Sequence, residues 1–170
     1  MRATSLTVGS AALAAALLLT ACGGGEGDSG GQDTSACALD EVGVEIGPAN
    51  AAPVAGDTGN IPVTVTNEGA ECTLDGFPAV DLNAEGTSAT VPADKAAKPQ
   101  KLTLAKDTAA TFTITYVRGE AGGDLDATTV KIALPGAPAT QSFEWSYGPV
   151  ALVTGGAPDA TVGAFQQAGD

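Results

Sequence analysis

Thr111-Phe112-Thr113-Ile114-Thr115-Tyr116 alternates without a break between threonine and a large apolar or aromatic side chain. Side chains of an extended strand point to opposite faces in turn. This stretch therefore offers one face for burial and one for solvent. The β-branched Thr and Ile also favour extended backbone. The same period runs outward in both directions. Upstream, Val42, Val44 and Ile46 alternate with Gly43 and Glu45; Ile61, Val63 and Val65 with Pro62, Thr64 and Thr66; Leu102 and Leu104 with Lys101 and Thr103. Downstream, Val130, Ile132 and Leu134 alternate with Thr129, Lys131 and Ala133, and Phe143, Trp145 and Tyr147 with Ser142, Glu144 and Ser146. Val80 with Leu82, Val150 with Val153, and Val162 with Phe165 supply further strand candidates. Turn residues separate the runs: Gly56-Asp57-Thr58-Gly59-Asn60, Asn67-Glu68-Gly69, Gly122-Gly123-Asp124 and Pro135-Gly136. Beyond the N-terminus no long apolar stripe of helical period occurs. Short half-buried strands joined by such turns predict an all-β chain folded as an antiparallel β-sandwich.

The N-terminus has a different character. Met1-Arg2 carries one positive charge, and Leu6 to Leu19 is uncharged and rich in Ala and Leu. That run is short for a membrane span, which needs about 20 apolar residues, and suits a signal-peptide core. Leu19-Thr20-Ala21-Cys22 follows at once and looks like the lipobox of bacterial lipoproteins. A small residue sits before the cut, and the thiol is the group that can carry a diacylglycerol thioether. Residues 1–21 are expected to be a cleaved lipoprotein signal peptide. Residues 22–36 then form a Gly-rich, lipid-anchored flexible linker, and residues 37–170 the β-sandwich domain. A coil of the linker's length spans roughly 20 Å.

The chain has 7 Lys+Arg against 20 Asp+Glu, a net charge of -13. Such a surface repels nucleic acid and anionic headgroups. The expected partners are therefore the membrane, through lipid on Cys22, and an envelope polymer or protein, but not nucleic acid. The expected location is extracytoplasmic, on the cell membrane. Of the three Cys, lipidation consumes Cys22 and leaves Cys37 and Cys72, an even pair in an oxidising compartment. A disulfide between them is the first reading. Free thiols for redox or metal work are the alternative, with the wide spacing and the absence of His against it.

Asn67-Glu68-Gly69-Ala70-Glu71-Cys72-Thr73-Leu74-Asp75-Gly76-Phe77-Pro78-Ala79-Val80, preceded by Cys37 and followed by Leu102-Thr103-Leu104, resembles the actinobacterial domain-of-unknown-function family 4232. The recurring pattern is an Asn turn, Cys-Thr-Leu, then Gly-Phe/Tyr-Pro. The resemblance implies an immunoglobulin-like sandwich on a secreted or lipid-anchored envelope protein, and it carries no catalytic residue. Many members have further Cys in the C-terminal half, which this chain lacks. Read from the residues themselves, Gly76 permits a bend, Phe77 plugs the core and Pro78 stiffens the exit from the bend.

The chemistry is narrowed chiefly by what is missing. With no His, the usual general base, metal ligand and Ser-His or Cys-His pairs are gone. No phosphate-binding or dinucleotide fingerprint occurs. No cofactor and no metal are implied, and an enzyme is not expected. Asp124-Leu125-Asp126 after Gly122-Gly123 resembles a fragment of a calcium loop but lacks the rest of the pattern, and a solvated turn explains it equally. Phe143, Trp145 and Tyr147 share one face. They read as a core strand, with Trp145 packed near the disulfide, or alternatively as a stacking platform. Lys95, Lys98, Lys101 and Lys106 fall within a dozen positions of an acidic chain. They read as guards of a sheet edge, or alternatively as a binding patch for an anionic partner. The expected function is that of a non-catalytic binding or interaction module. A structural spacer is the alternative, and a glycan-acting enzyme is the remote third reading.

Overall fold

The computed structural model describes residues 34–50, 52 and 54–169. Residues 1–33, which hold the expected signal peptide, Cys22 and most of the expected linker, lie outside the described residues. Among those described, the chain forms strands and no α-helix. Numbered along the chain, one sheet runs β1 (Val42–Ile46), β2 (Thr58–Asn67), β7 (Ala109–Val117), β10 (Ala160–Val162), with β11 (Gln166–Gln167) also on β7. The second runs β5 (Thr87–Val91), β4 (Ala79–Ala84), β8 (Thr129–Ala133), β9 (Gln141–Glu144). A short pair joins β3 (Cys72–Leu74) to β6 (Leu102–Leu104). Every ladder between these strands is antiparallel. The architecture is an all-β sandwich.

The core follows from register. In the long β2–β7 ladder, Ile61 stands opposite Ile114, Val63 opposite Phe112 and Val65 opposite Ala110, and all six are buried. On the other sheet, Val80 faces Ile132 and Leu82 faces Val130, also buried. These side chains belong to one continuous core. Burying each large aliphatic side chain contributes about 1.5–3 kcal/mol. Thr64, Thr111, Thr113 and Thr115 occupy the opposite face, as their alternation requires.

Cys37 and Cys72 form a disulfide, with Cα atoms 4.9 Å apart. The neighbouring backbone is paired as well: Thr73 N–H donates to Ser35 O at 2.8 Å, and Cys37 N–H to Thr73 O at 2.9 Å. Pairing thus begins at Ser35, two residues before Cys37. The bridge fastens this N-terminal segment to β3, whose three residues are all buried.

Four local expectations change. Trp145 does not pack on the disulfide. Cys72 pairs with Leu104, whose carbonyl accepts from Asn67, the last residue of β2 and the neighbour of Thr108 just before β7, whereas Trp145 rests on Tyr116 near the end of β7. Those points are roughly 20 Å apart along the strand. The Phe143–Tyr147 run is a strand only to Glu144, after which Trp145 N–H caps Thr128 O and the chain turns. Phe77 is half-buried and outside the core, and Pro78 is the buried residue, because Gly76 (φ 115°) swings the chain there. Val150 is buried in isolated bridges rather than a strand, and Val153 is exposed.

Candidate functional site

The end of β7 carries the most elaborate polar construction among the described residues. Tyr116 is the last inward residue of β7, and Arg118 follows one residue past the strand. Across from them the chain leaving β9 supplies Trp145, Tyr147 and Gly148, and the segment after β1 supplies Gly47, Pro48 and Ala49. An open cleft of about 540 Å³ lies between them, lined by Arg118, floored by Tyr116 and Tyr147 and walled by Ile46, Pro48, Ala49 and Ala52, with Trp145 and Gly148 behind the lining.

Each polar contact has a sequence cause. Pro62 in β2 has no N–H to donate, and its own carbonyl accepts from Gly47 N–H at 2.8 Å. In an antiparallel pair a residue's N–H and C=O face the same neighbour, so the proline leaves Gly47 O without its ladder donor. Tyr147 O–H donates to that carbonyl at 2.7 Å. Tyr116 O–H donates to Tyr147 O at 3.0 Å, and Trp145 Nε1–H to Gly148 O at 2.7 Å. Trp145 meets both tyrosines edge-on, with ring centroids 5.3 Å from Tyr116 and 5.0 Å from Tyr147. Two glycines make room. A Cβ at Gly59, cross-strand from Tyr116, would lie 2.3 Å from the ring. A Cβ at Gly148 (φ +83°) would lie 2.4 Å from the Arg118 guanidinium carbon.

Arg118 is the one arginine of the chain besides Arg2. Its Nη1 donates to Ala52 O at 3.2 Å and Tyr147 O at 3.3 Å. Among the described residues no carboxylate pairs with it and no carbonyl accepts from its Nε or Nη2. Burial pushes the Tyr116 hydroxyl above the usual tyrosine range, with the neighbouring Arg118 charge acting in the opposite direction. Burial likewise raises Tyr147, and the Tyr116 charge adds to the rise.

The residues singled out in the sequence are placed elsewhere, Trp145 and Tyr147 excepted. Lys95, Lys98, Lys101 and Lys106 are all exposed. Lys98 lines a polar groove of about 260 Å³ with Asp94, Gln100, Thr111 and Gln166. Lys101 immediately precedes β6, and Lys106 lies in the turn beyond it, so the length of β6 separates them. The Asp124 loop fastens itself: Asp124 Oδ2 accepts from Glu120 N–H at 2.8 Å, its Oδ1 from Leu152 N–H at 3.0 Å, and Asp126 Oδ2 from Gly122 N–H at 3.0 Å. The bonds from Glu120 and Leu152 hold Asp124 below the usual carboxylate range. No group of three or more Cys, Asp or Glu side chains able to hold a metal is present among the described residues.

Arg118 was not singled out by sequence reasoning. The signal available was its solitude, one arginine just past the aromatic end of the best strand in the chain. Comparison with curated proteins finds no match. The family described as Domain of unknown function (DUF4232) matches residues 37–166, and the chain belongs to that family.

Proposed function

We propose that this chain is a lipid-anchored cell-envelope protein whose β-sandwich is a non-catalytic binding or interaction module. In this reading the signal peptide is removed before Cys22, the thiol carries the lipid, and a Gly-rich linker holds the domain off the membrane. The sandwich is of the immunoglobulin-like kind that the resemblance implies. The observation that carries the binding role is the cleft at the end of β7. Two aromatic floors, an apolar wall and an arginine whose second edge meets no carboxylate or carbonyl of the described residues stand together at a surface opening. A spacer has no need of such a site. The absence of His, and the commitment of both tyrosine hydroxyls to backbone carbonyls, favour binding over catalysis.

Two measurements test the reading. Mass spectrometry of the mature protein should find a diacylglycerol adduct on Cys22, and an unmodified thiol there would remove the anchor. Immobilised intact protein should retain a component of envelope extracts. Retention of nothing above a lipid-anchored control would favour the spacer.

A further inference from the structure

Among the described residues, carbonyls hold Arg118 by one end only. Nη1 is spent on the carbonyls of Ala52 and Tyr147, which fix the guanidinium plane against Gly148. The opposite edge, Nε and Nη2, is the pair of parallel donors that matches a planar oxyanion in bidentate fashion. A side chain serving only as a clamp has no use for a second, pre-oriented edge beside a cleft, and a flexible surface arginine would not be fixed in its lining.

The geometry points to Arg118 as a carboxylate-binding residue, and to a ligand carrying a terminal carboxylate next to a small apolar group. The reasons are charge and shape. One cation in a chain of net charge -13 balances a monoanion and leaves a phosphate dianion uncompensated. No lysine lines this cleft to share a second charge. The tyrosine hydroxyls already donate to carbonyls, so they add contact area rather than donors at an anion. Beside the arginine, Ile46, Pro48 and Ala49 offer an apolar wall that suits an alkyl group one or two bonds from the carboxylate. This assignment rests on the binding-module reading and adds the class of ligand.

Trp145 reports on the site directly. It is the single tryptophan, it is hydrogen-bonded to Gly148, the residue under the guanidinium, and its ring contacts Tyr147. The test is a fluorescence titration of the full chain in detergent with N-acetyl-alanyl-alanine, its C-terminal amide, and inorganic phosphate. The free acid should give a saturable change. The amide and phosphate should bind at least tenfold more weakly. Arg118→Lys, which keeps the charge but loses the fork, should weaken the acid at least tenfold at unchanged melting temperature. Equal binding of acid and amide overturns the proposal without any variant, whether or not Arg118→Lys folds. So does a phosphate preference, or a folded Arg118→Lys that binds the acid like the parent. If all three probes fail while the protein still retains an envelope component, the carboxylate assignment falls and the binding module stands. If retention fails too, the binding module falls with it.

Discussion

Asn67 is fully buried, and the turn and the β3–β6 pair both hang on its side chain. Its Nδ2 donates to Ala70 O at 2.7 Å and to Leu104 O at 3.0 Å, while Oδ1 accepts from Gly69 N–H at 3.0 Å. Asn67→Ala removes three bonds and abandons two carbonyls and an N–H. At about 1 kcal/mol net per bond the loss is about 3 kcal/mol, a large part of a typical domain's stability. Asn67→Asp is the sharper probe, because it keeps shape and the acceptor for Gly69 but turns a second oxygen toward two carbonyls. Burial and those carbonyls push the introduced carboxyl above the ordinary Asp value. The native state then holds a proton that the unfolded chain has released. Its stability is therefore greatest below the unfolded value of about 3.9 and falls as pH rises through it, by about 1.4 kcal/mol for each unit of elevation. Urea unfolding of the parent and both variants at about pH 4 and pH 7 separates these effects from the rest of an acidic chain. Relative to the parent, Asn67→Asp should be the milder variant at the lower pH and the worse one at neutrality. An Asn67→Asp penalty that does not change with pH would refute the argument, since it would mean that the side chain reaches water.

Removing the disulfide by Cys37→Ala with Cys72→Ala frees a loop of sequence separation 35 and should cost about 4 kcal/mol of chain entropy, read from the shift in urea midpoint. A loss below about 1 kcal/mol would mean that the Ser35–Cys37 pairing alone holds that segment in both states. Phenolate absorbance should show both tyrosines, Tyr116 and Tyr147, ionising above the ordinary tyrosine range. Because burial raises these acids, the stability they contribute is intact below the unfolded tyrosine value of about 10 and is lost as pH climbs past it. Replacing Lys95, Lys98 and Lys101 together with Gln should leave folding nearly unchanged and promote self-association along β6, visible by light scattering. A variant that stays monomeric but loses envelope association, as the parent does in added salt, would instead make the lysines a binding face.

Alternation alone determined the fold class and the inward set of Phe112, Ile114, Tyr116, Ile61, Val63 and Val65, because the period of a strand is a local property of extended backbone. Composition and the terminal motif carried the expectations of export and of a lipid at Cys22. The strands that escaped notice lack that period for opposite reasons. Thr87–Val91 is an edge strand, largely exposed, and only Ala89 and the buried Val91 at its end mark the inward face, too little for a period to show. Cys72–Leu74 is three residues long and buried on both faces, the polar Thr73 included, so it is too short to show a period and has no solvent side. The cleft was beyond local reading altogether. Tyr147 and the carbonyl it bonds lie 100 positions apart, and Arg118 reaches Ala52 across 66. Which side chains meet at the end of β7 depends on how two sheets close over one core. Only that closure turned an isolated arginine, two tyrosines and a proline's missing N–H into one site.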